Sequence, residues 1–295
     1  MYCCNCCSMT FSVGGGYMVK FKTVKLTDVV TRIIGINGEQ MYLVEGREKA
    51  ALIDTGSGAG DLKACVEALT SHPILVLITH GHVDHAMGAP QFEEVYMSVL
   101  DRDIYCDSSG LEVRKNYLSE SLQFADVEES DYIPVTAPDG FHDLIDGDLF
   151  DLGGITVEAI ACAGHSPGSM MFLIQEERAL VTGDACAYFT MLQGDSCLGL
   201  SSYESSLIAA DERTKGRYDR VYMSHGRFDA PVTLIDEVIE VCELVKSGKD
   251  DKVAFCFHGT NGLVAKAYGD NGVSAYARLD GKTGNVIYNP DKIWE

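Results

Sequence analysis

Four metal-ligand side chains fall within six residues at His80-Gly81-His82-Val83-Asp84-His85, directly after the apolar run Ile74-Leu75-Val76-Leu77-Ile78-Thr79. With 8 His among 295 residues, shuffling the chain would give H-x-H-x-D-H in roughly one sequence in two thousand, so coincidence is a poor explanation. The leucine-rich and β-branched run, bounded by His72-Pro73 and by Gly81, reads as a buried strand. Residues two apart on an extended segment point the same way, which lets His80 and His82 grip one ion together. Asp84 and His85 fall where a helix is expected to begin, and the turn aims them at a second point nearby. Imidazole nitrogens and carboxylate oxygens suit zinc, and also iron or manganese.

A pair of metals needs more ligands. Three candidates lie downstream: His165 in Gly164-His165-Ser166-Pro167-Gly168, Asp184 in Gly183-Asp184, and His225 in Ser224-His225-Gly226. Each follows a strand-like run. Alone, a His beside Gly reads as a turn residue, and Gly-Asp is ordinary turn chemistry. Their joint occurrence after the hexapeptide makes a ligand set the stronger reading.

Together with Asp54 in Leu52-Ile53-Asp54-Thr55-Gly56, these segments resemble, in order, the metallo-β-lactamase-fold hydrolase superfamily in its glyoxalase II-like branch, over about residues 25–245. The resemblance implies an α/β fold, the four-layer αββα sandwich. It implies that His80, His82 and His165 hold one metal and Asp84, His85 and His225 the other, with Asp184 bridging and Asp54 holding the ligand loops in place. Two divalent ions, Zn²⁺ first and Fe or Mn as alternatives, then make a bridging hydroxide available at neutral pH. The implied reaction is hydrolysis of a small ester, thioester or lactone, with Asp84 and Asp184 catalytic and no serine nucleophile, so that Ser166 and Ser169 read as turn residues. Tyr188 follows Asp184 closely, much as a tyrosine does in the similar acyl-homoserine lactonases but one residue later, and is a candidate oxyanion donor. Alternatives on the same scaffold are a di-iron redox protein and a phosphodiesterase. His82 stands where flavodiiron proteins usually carry Glu, and the chain has no room for their flavodoxin domain.

Strands are expected at 28–36, 40–45, 49–53, 74–79, 94–98, 155–161, 170–175 and 179–182, and helices at 60–70, 202–215 and 232–246. Residues 18–249 form the expected main domain. Within it, 91–154 is a possible substrate wall or lid, in which Tyr105, Leu111, Val113, Tyr117, Leu118, Leu122 and Phe124 have the spacing of one or two helices, and His142 reads as a surface or packing residue. Residues 250–295 read as a small C-terminal β appendage, with strands at 253–257, 263–268 and 273–279 between glycine turns; His258 is expected to be structural. Glyoxalase II carries a helical tail with basic residues for glutathione, and this departure weighs against a glutathione thioester.

The formal charge of 23 minus 44, or −21, argues against nucleic-acid partners, whose binding rests on phosphate neutralisation. Substrates are therefore expected to be small molecules. Cys3, Cys4, Cys6 and Cys7 lack the separated pairs of a zinc ribbon, and residues 1–17 read as a leader or mis-assigned start before Met18. The remaining seven cysteines sit among apolar neighbours, as expected of buried reduced thiols. With no secretory or membrane-spanning signal, a cytoplasmic protein without membrane association is expected. A homodimer is compatible with the sequence, which shows no heptad or apolar stripe to mark an interface.

Overall fold

The computed structural model describes residues 19–119, 127–257, 259–271 and 276–295. The expected leader, Leu122, Phe124 and His258 lie outside them. The chain divides into two compact units, Met1–Leu144 with Phe150–Thr156, and Ile145–Leu149 with Val157–Glu295.

In the first unit the apolar runs become β1 (Lys22–Lys25), β2 (Val30–Ile34), β3 (Gln40–Glu45), β4 (Ala50–Ile53), β5 (Ile74–Leu77), β6 (Glu94–Met97) and β7 (His142–Asp143), which pair in chain order. Pairing is antiparallel from β1 to β4 and parallel from β4 to β7. Between the strands run α1 (Leu62–Glu67), α2 (Val83–Ala86), α3 (Arg102–Ser108) and α4 (Leu111–Leu118). Asp61 caps α1, its carboxylate accepting from Ala64 N at 2.9 Å. Leu43, Leu52 and Val76 pack on one sheet face with Leu62, Val66, Met87 and Tyr105, while Tyr42, Val44, Ala51, Ile53 and Leu77 on the alternate face are also fully buried. Strands buried on both faces read as continuous apolar runs, which is why β3 to β5 are legible in the sequence. The register sets Ile53 opposite Leu77, so β4 and β5 run out at the same sheet edge and deliver Asp54 and Thr79 side by side. The carboxyl edge of parallel strands is where α/β sheets place their ligands.

The chain passes between the units after Leu144, after Leu149 and after Thr156, the second of these within β8 (Leu149–Asp151). The second unit contains β9 (Thr156–Ala161), β10 (Met170–Ile174), β11 (Ala179–Val181), β12 (Thr190–Leu192), α5 (Leu200–Thr214), β13 (Arg220–Tyr222), β14 (Asp229–Ala230) and α6 (Leu234–Lys246), then β15 (Val253–Phe257), β16 (Thr260–Val264), β17 (Tyr268–Gly269), β18 (Ala277–Arg278) and β19 (Val286–Tyr288). One sheet runs β14-β13-β11-β10-β9, and its Ile160, Met171, Leu173 and Leu180 pack against Leu207 of α5 and Val238, Val241 and Val245 of α6. A second sheet, β12-β19-β16-β15, pairs β19 in parallel with β12, so the tail joins the segment that follows Asp184. His142 is exposed on β7 and stacks on Tyr96 with ring centroids 4.9 Å apart. No helix among the described residues is long and apolar enough to cross a membrane.

The cysteines depart from expectation. Cys162, Cys186 and Cys242 are buried in the second unit's core and Cys197 is buried too, but Cys106 and Cys256 are exposed. Cys106 lies on the outer side of α3 and Cys256 on the edge strand β15, positions that apolar sequence neighbours do not reveal. Burial pushes the Cys162 thiol up to about 12 and raises Cys186 and Cys242 as well, which leaves almost no thiolate, the nucleophilic form. Brief alkylation of the native protein at pH 8, read by peptide mass spectrometry, is therefore expected to modify Cys106 and Cys256 while Cys162, Cys186 and Cys242 react only after denaturation.

Candidate metal centre

Asp54 leaves β4 with φ 62°, a left-handed conformation that short polar side chains tolerate better than most. Its carboxylate accepts from Thr79 N at 2.8 Å, from Thr79 Oγ1 at 2.8 and 2.9 Å, and from His85 Nδ1 at 2.8 Å. A carboxylate only accepts, so His85 carries its proton on Nδ1 and turns Nε2 away as a ligand atom. Thr79 spends its one hydroxyl proton on Asp54. Its oxygen therefore accepts from His80 Nδ1 at 3.0 Å, and His80 likewise presents Nε2. The His80 ring lies 4.8 Å from that of His82 and 4.0 Å from that of His85, centroid to centroid. Asp84 Oδ2 stands 3.5 Å from His85 Nε2.

The glycine inside the motif is needed for close approach. A Cβ at Gly81 would sit 2.5 Å from Asp101 O and 2.9 Å from Tyr105 N, and the Gly81 N–H donates to the buried Asp101 carboxylate at 2.8 Å. The loop after β4 is tied to α2 as well: Thr55 N donates to His85 O at 2.7 Å and Met87 N to Gly56 O at 3.0 Å. Two residues of α4 join this assembly without any advance signal. The Tyr117 hydroxyl donates to Asp84 Oδ2 at 2.9 Å, where the sequence suggests only helix packing, and the buried Arg114 donates to the carbonyls of Ser57, Gly58 and Ile133.

The second unit brings His165, Asp184, His225 and Tyr188 together. Gly164 passes so near Tyr203 that a Cβ would lie 2.1 Å from its ring, which seats His165 at the end of the turn after β9. His165 Nδ1 donates to Met191 O at 2.8 Å, again leaving Nε2 free of that bond as a candidate ligand atom. Asp184 faces both histidines: Oδ2 is 3.7 Å from His165 Nε2, and Oδ1 is 3.4 Å from His225 Nε2. Ser166 and Ser169 bond to each other at 2.7 Å, consistent with a turn. Tyr188 donates to His225 O at 3.3 Å, and burial together with the Asp184 charge raises its pKa, so it is a neutral phenol. Beside it opens a cavity of about 490 Å³ whose lining includes Met223, Arg227, Asn271 and Tyr276.

Two ligand atoms about 2.1 Å from one tetrahedral ion stand about 3.4 Å apart. The Asp84–His85, Asp184–His225 and Asp184–His165 separations of 3.5, 3.4 and 3.7 Å match that value and are long for hydrogen bonds. The donor set, neutral imidazole Nε2 atoms beside carboxylate oxygens, fits divalent metal ions.

Residues 35–225 match the metallo-beta-lactamase superfamily, and the chain belongs to it. An atrochrysone carboxyl ACP thioesterase of Claviceps purpurea is 29% identical over 171 residues, 54% of this chain and 46% of that protein. A beta-lactamase-like protein 2 homolog of Caenorhabditis elegans is 27% identical over 229 residues, 73% of this chain and 68% of that protein. In the fungal thioesterase the match spans about half of its length. Among solved structures, a sec-alkylsulfatase from Pseudomonas sp. superposes with a TM-score of 0.57 at 16% identity, over 77% of this chain and 43% of that one. An archaeal superfamily protein from Sulfolobus tokodaii gives 0.51 at 16% identity, over 75% and 84%. The fold is thus the mixed α/β metallo-β-lactamase fold. The relatives are lactamase-like proteins and thioesterases, which places the chain at the level of the superfamily.

Asp54→Asn keeps the shape and the left-handed backbone but replaces one acceptor oxygen with a donor. It is expected to weaken metal binding about 10- to 100-fold, the usual cost of losing a group that orients a ligand, in a titration of metal-free protein against a chelating indicator.

Proposed function

We propose that the chain is a metal-dependent hydrolase of small acyl thioesters. Under this reading His80, His82 and His165 would hold one divalent ion and Asp84, His85 and His225 the other, with Asp184 shared between them and Zn²⁺ the first choice. The observation that carries it is Asp184, whose two oxygens each face a different histidine Nε2, at 3.7 and 3.4 Å, an arrangement that would let one carboxylate serve two ions. Bound ions of this kind supply an acidified water at neutral pH and polarise the acyl carbonyl.

The protein's own groups do the rest. Asp54 and Thr79 fix the tautomers of His85 and His80, so that neither of these two imidazoles must rotate or lose a proton before binding. Asp84 orients the attacking water. Tyr188 is held protonated and donates to the acyl oxygen as charge develops on it. The cavity beside Tyr188 accommodates the acyl group; its volume of about 490 Å³ is ordinary for a small-molecule site. Relatives named as ACP thioesterases favour a thioester over a lactone or simple ester, and the net charge of −21 disfavours a phosphodiester polyanion.

The test pairs metal analysis of protein purified without added metal with hydrolysis of an acyl thioester, an aryl ester and a lactone, before and after chelation. Two divalent ions per chain, loss of turnover on chelation and recovery on adding metal back are expected, with the thioester turned over fastest. A metal-free, inert protein would overturn the reading. Tyr188→Phe is expected to lower kcat on the order of 10²-fold with little change in KM, the typical loss of one oxyanion donor; an unchanged kcat would assign Tyr188 to packing.

A further inference from the structure

We propose that α4 clamps the metal-ligand loops and that Tyr117 is a positioning residue for Asp84, an inference that rests on the ligand assignment above. Asp84 sits on α2, a helix of four residues. So short a helix has little stability of its own, and its side chains take their orientation from what surrounds them. The Tyr117 hydroxyl meets Asp84 Oδ2 at 2.9 Å, and that same oxygen faces His85 Nε2 at 3.5 Å. The bond runs from a phenol O–H to a carboxylate, a strong class of hydrogen bond.

Arg114 lies three residues earlier, on the same face of the helix. It is 2% exposed, and its Nε, Nη1 and Nη2 donate to Ser57 O, Ile133 O and Gly58 O at 3.1, 2.9 and 2.7 Å. Ser57 and Gly58 belong to the loop that begins at Asp54, whose Thr55 and Gly56 bond to His85 and Met87. One face of α4 thus holds the Asp54 loop through Arg114 and the Asp84 carboxylate through Tyr117. A helix present only to cover the core would not bury a guanidinium there, because that charge is costly to desolvate. The opposite side, with Glu112, Val113 and Asn116, is exposed.

Tyr117 therefore sets which way Asp84 points and how much negative charge its oxygen offers a metal. The test titrates metal-free wild-type and Tyr117→Phe proteins with Co²⁺, following the visible absorption, beside a urea unfolding curve of each metal-free protein. One of two equivalents is expected to bind 10- to 100-fold more weakly in Tyr117→Phe, with the other equivalent and the unfolding midpoint close to wild type. Arg114→Met should instead lower the midpoint, since it strands three carbonyls. Co²⁺ affinities in Tyr117→Phe equal to those of a metal-binding wild type would refute the clamp alone. Equal weakening of both equivalents together with a lowered midpoint would also refute it, by assigning Tyr117 to folding. A wild type that takes up no Co²⁺ would refute the ligand assignment beneath it.

Discussion

The carboxylate of Asp54 is the interaction on which the first half of the centre depends. It takes hydrogen bonds from Thr79 N, Thr79 Oγ1 and His85 Nδ1, and through Thr79 it also decides the tautomer of His80. Two ligand atoms are thereby aimed by one residue that need not touch a metal. The arrangement requires Asp54 to leave its strand with φ 62°, which costs on the order of 1 kcal/mol or more. The surrounding bonds offset that strain, and the parallel register of β4 and β5 makes them possible by ending both strands at one edge.

Much of this was open to reading because it is local. His80, His82, Asp84 and His85 lie within one hexapeptide after one strand, and the strand signal of β3 to β5 is strong because both faces are buried. β15 falls at 253–257, where the apolar pattern puts it. By contrast β12 and β19 are three residues each and are defined by pairing with one another across the chain, so no window of sequence contains their cause. The same reason hides Arg114 and Tyr117. Arg114 reaches carbonyls 56 and 57 residues away, and Tyr117 reaches a carboxylate 33 residues away; neither distance leaves a trace in periodicity.

Glycine at Gly81 and Gly164 has a shared physical role in the two halves. Each stands immediately before a histidine of the candidate metal centre, and each is pressed against another segment where a Cβ has no room. Removing the side chain at those points lets backbone and ring pack tightly behind the ligand, so the imidazole is backed by a rigid wall. Orientation of this kind lowers the entropy that an ion would cost on binding at a site built from turns.

The segment that carries α4 illustrates how a carboxylate beyond a strand end can be tuned from outside the core. The core supplies the histidines and carboxylates at strand ends, where their placement follows from sheet register. What the register does not determine is the electron density and freedom of each carboxylate, and a hydrogen bond from outside the core can set both. A phenol does so without adding charge, whereas a lysine or arginine in the same place would compete electrostatically with a cation held by Asp84 under the proposed assignment. The use of Tyr117 at the carboxylate, and of Arg114 only at neutral carbonyls, respects that distinction: the full positive charge is kept on the loop, and the neutral donor is spent on the ligand.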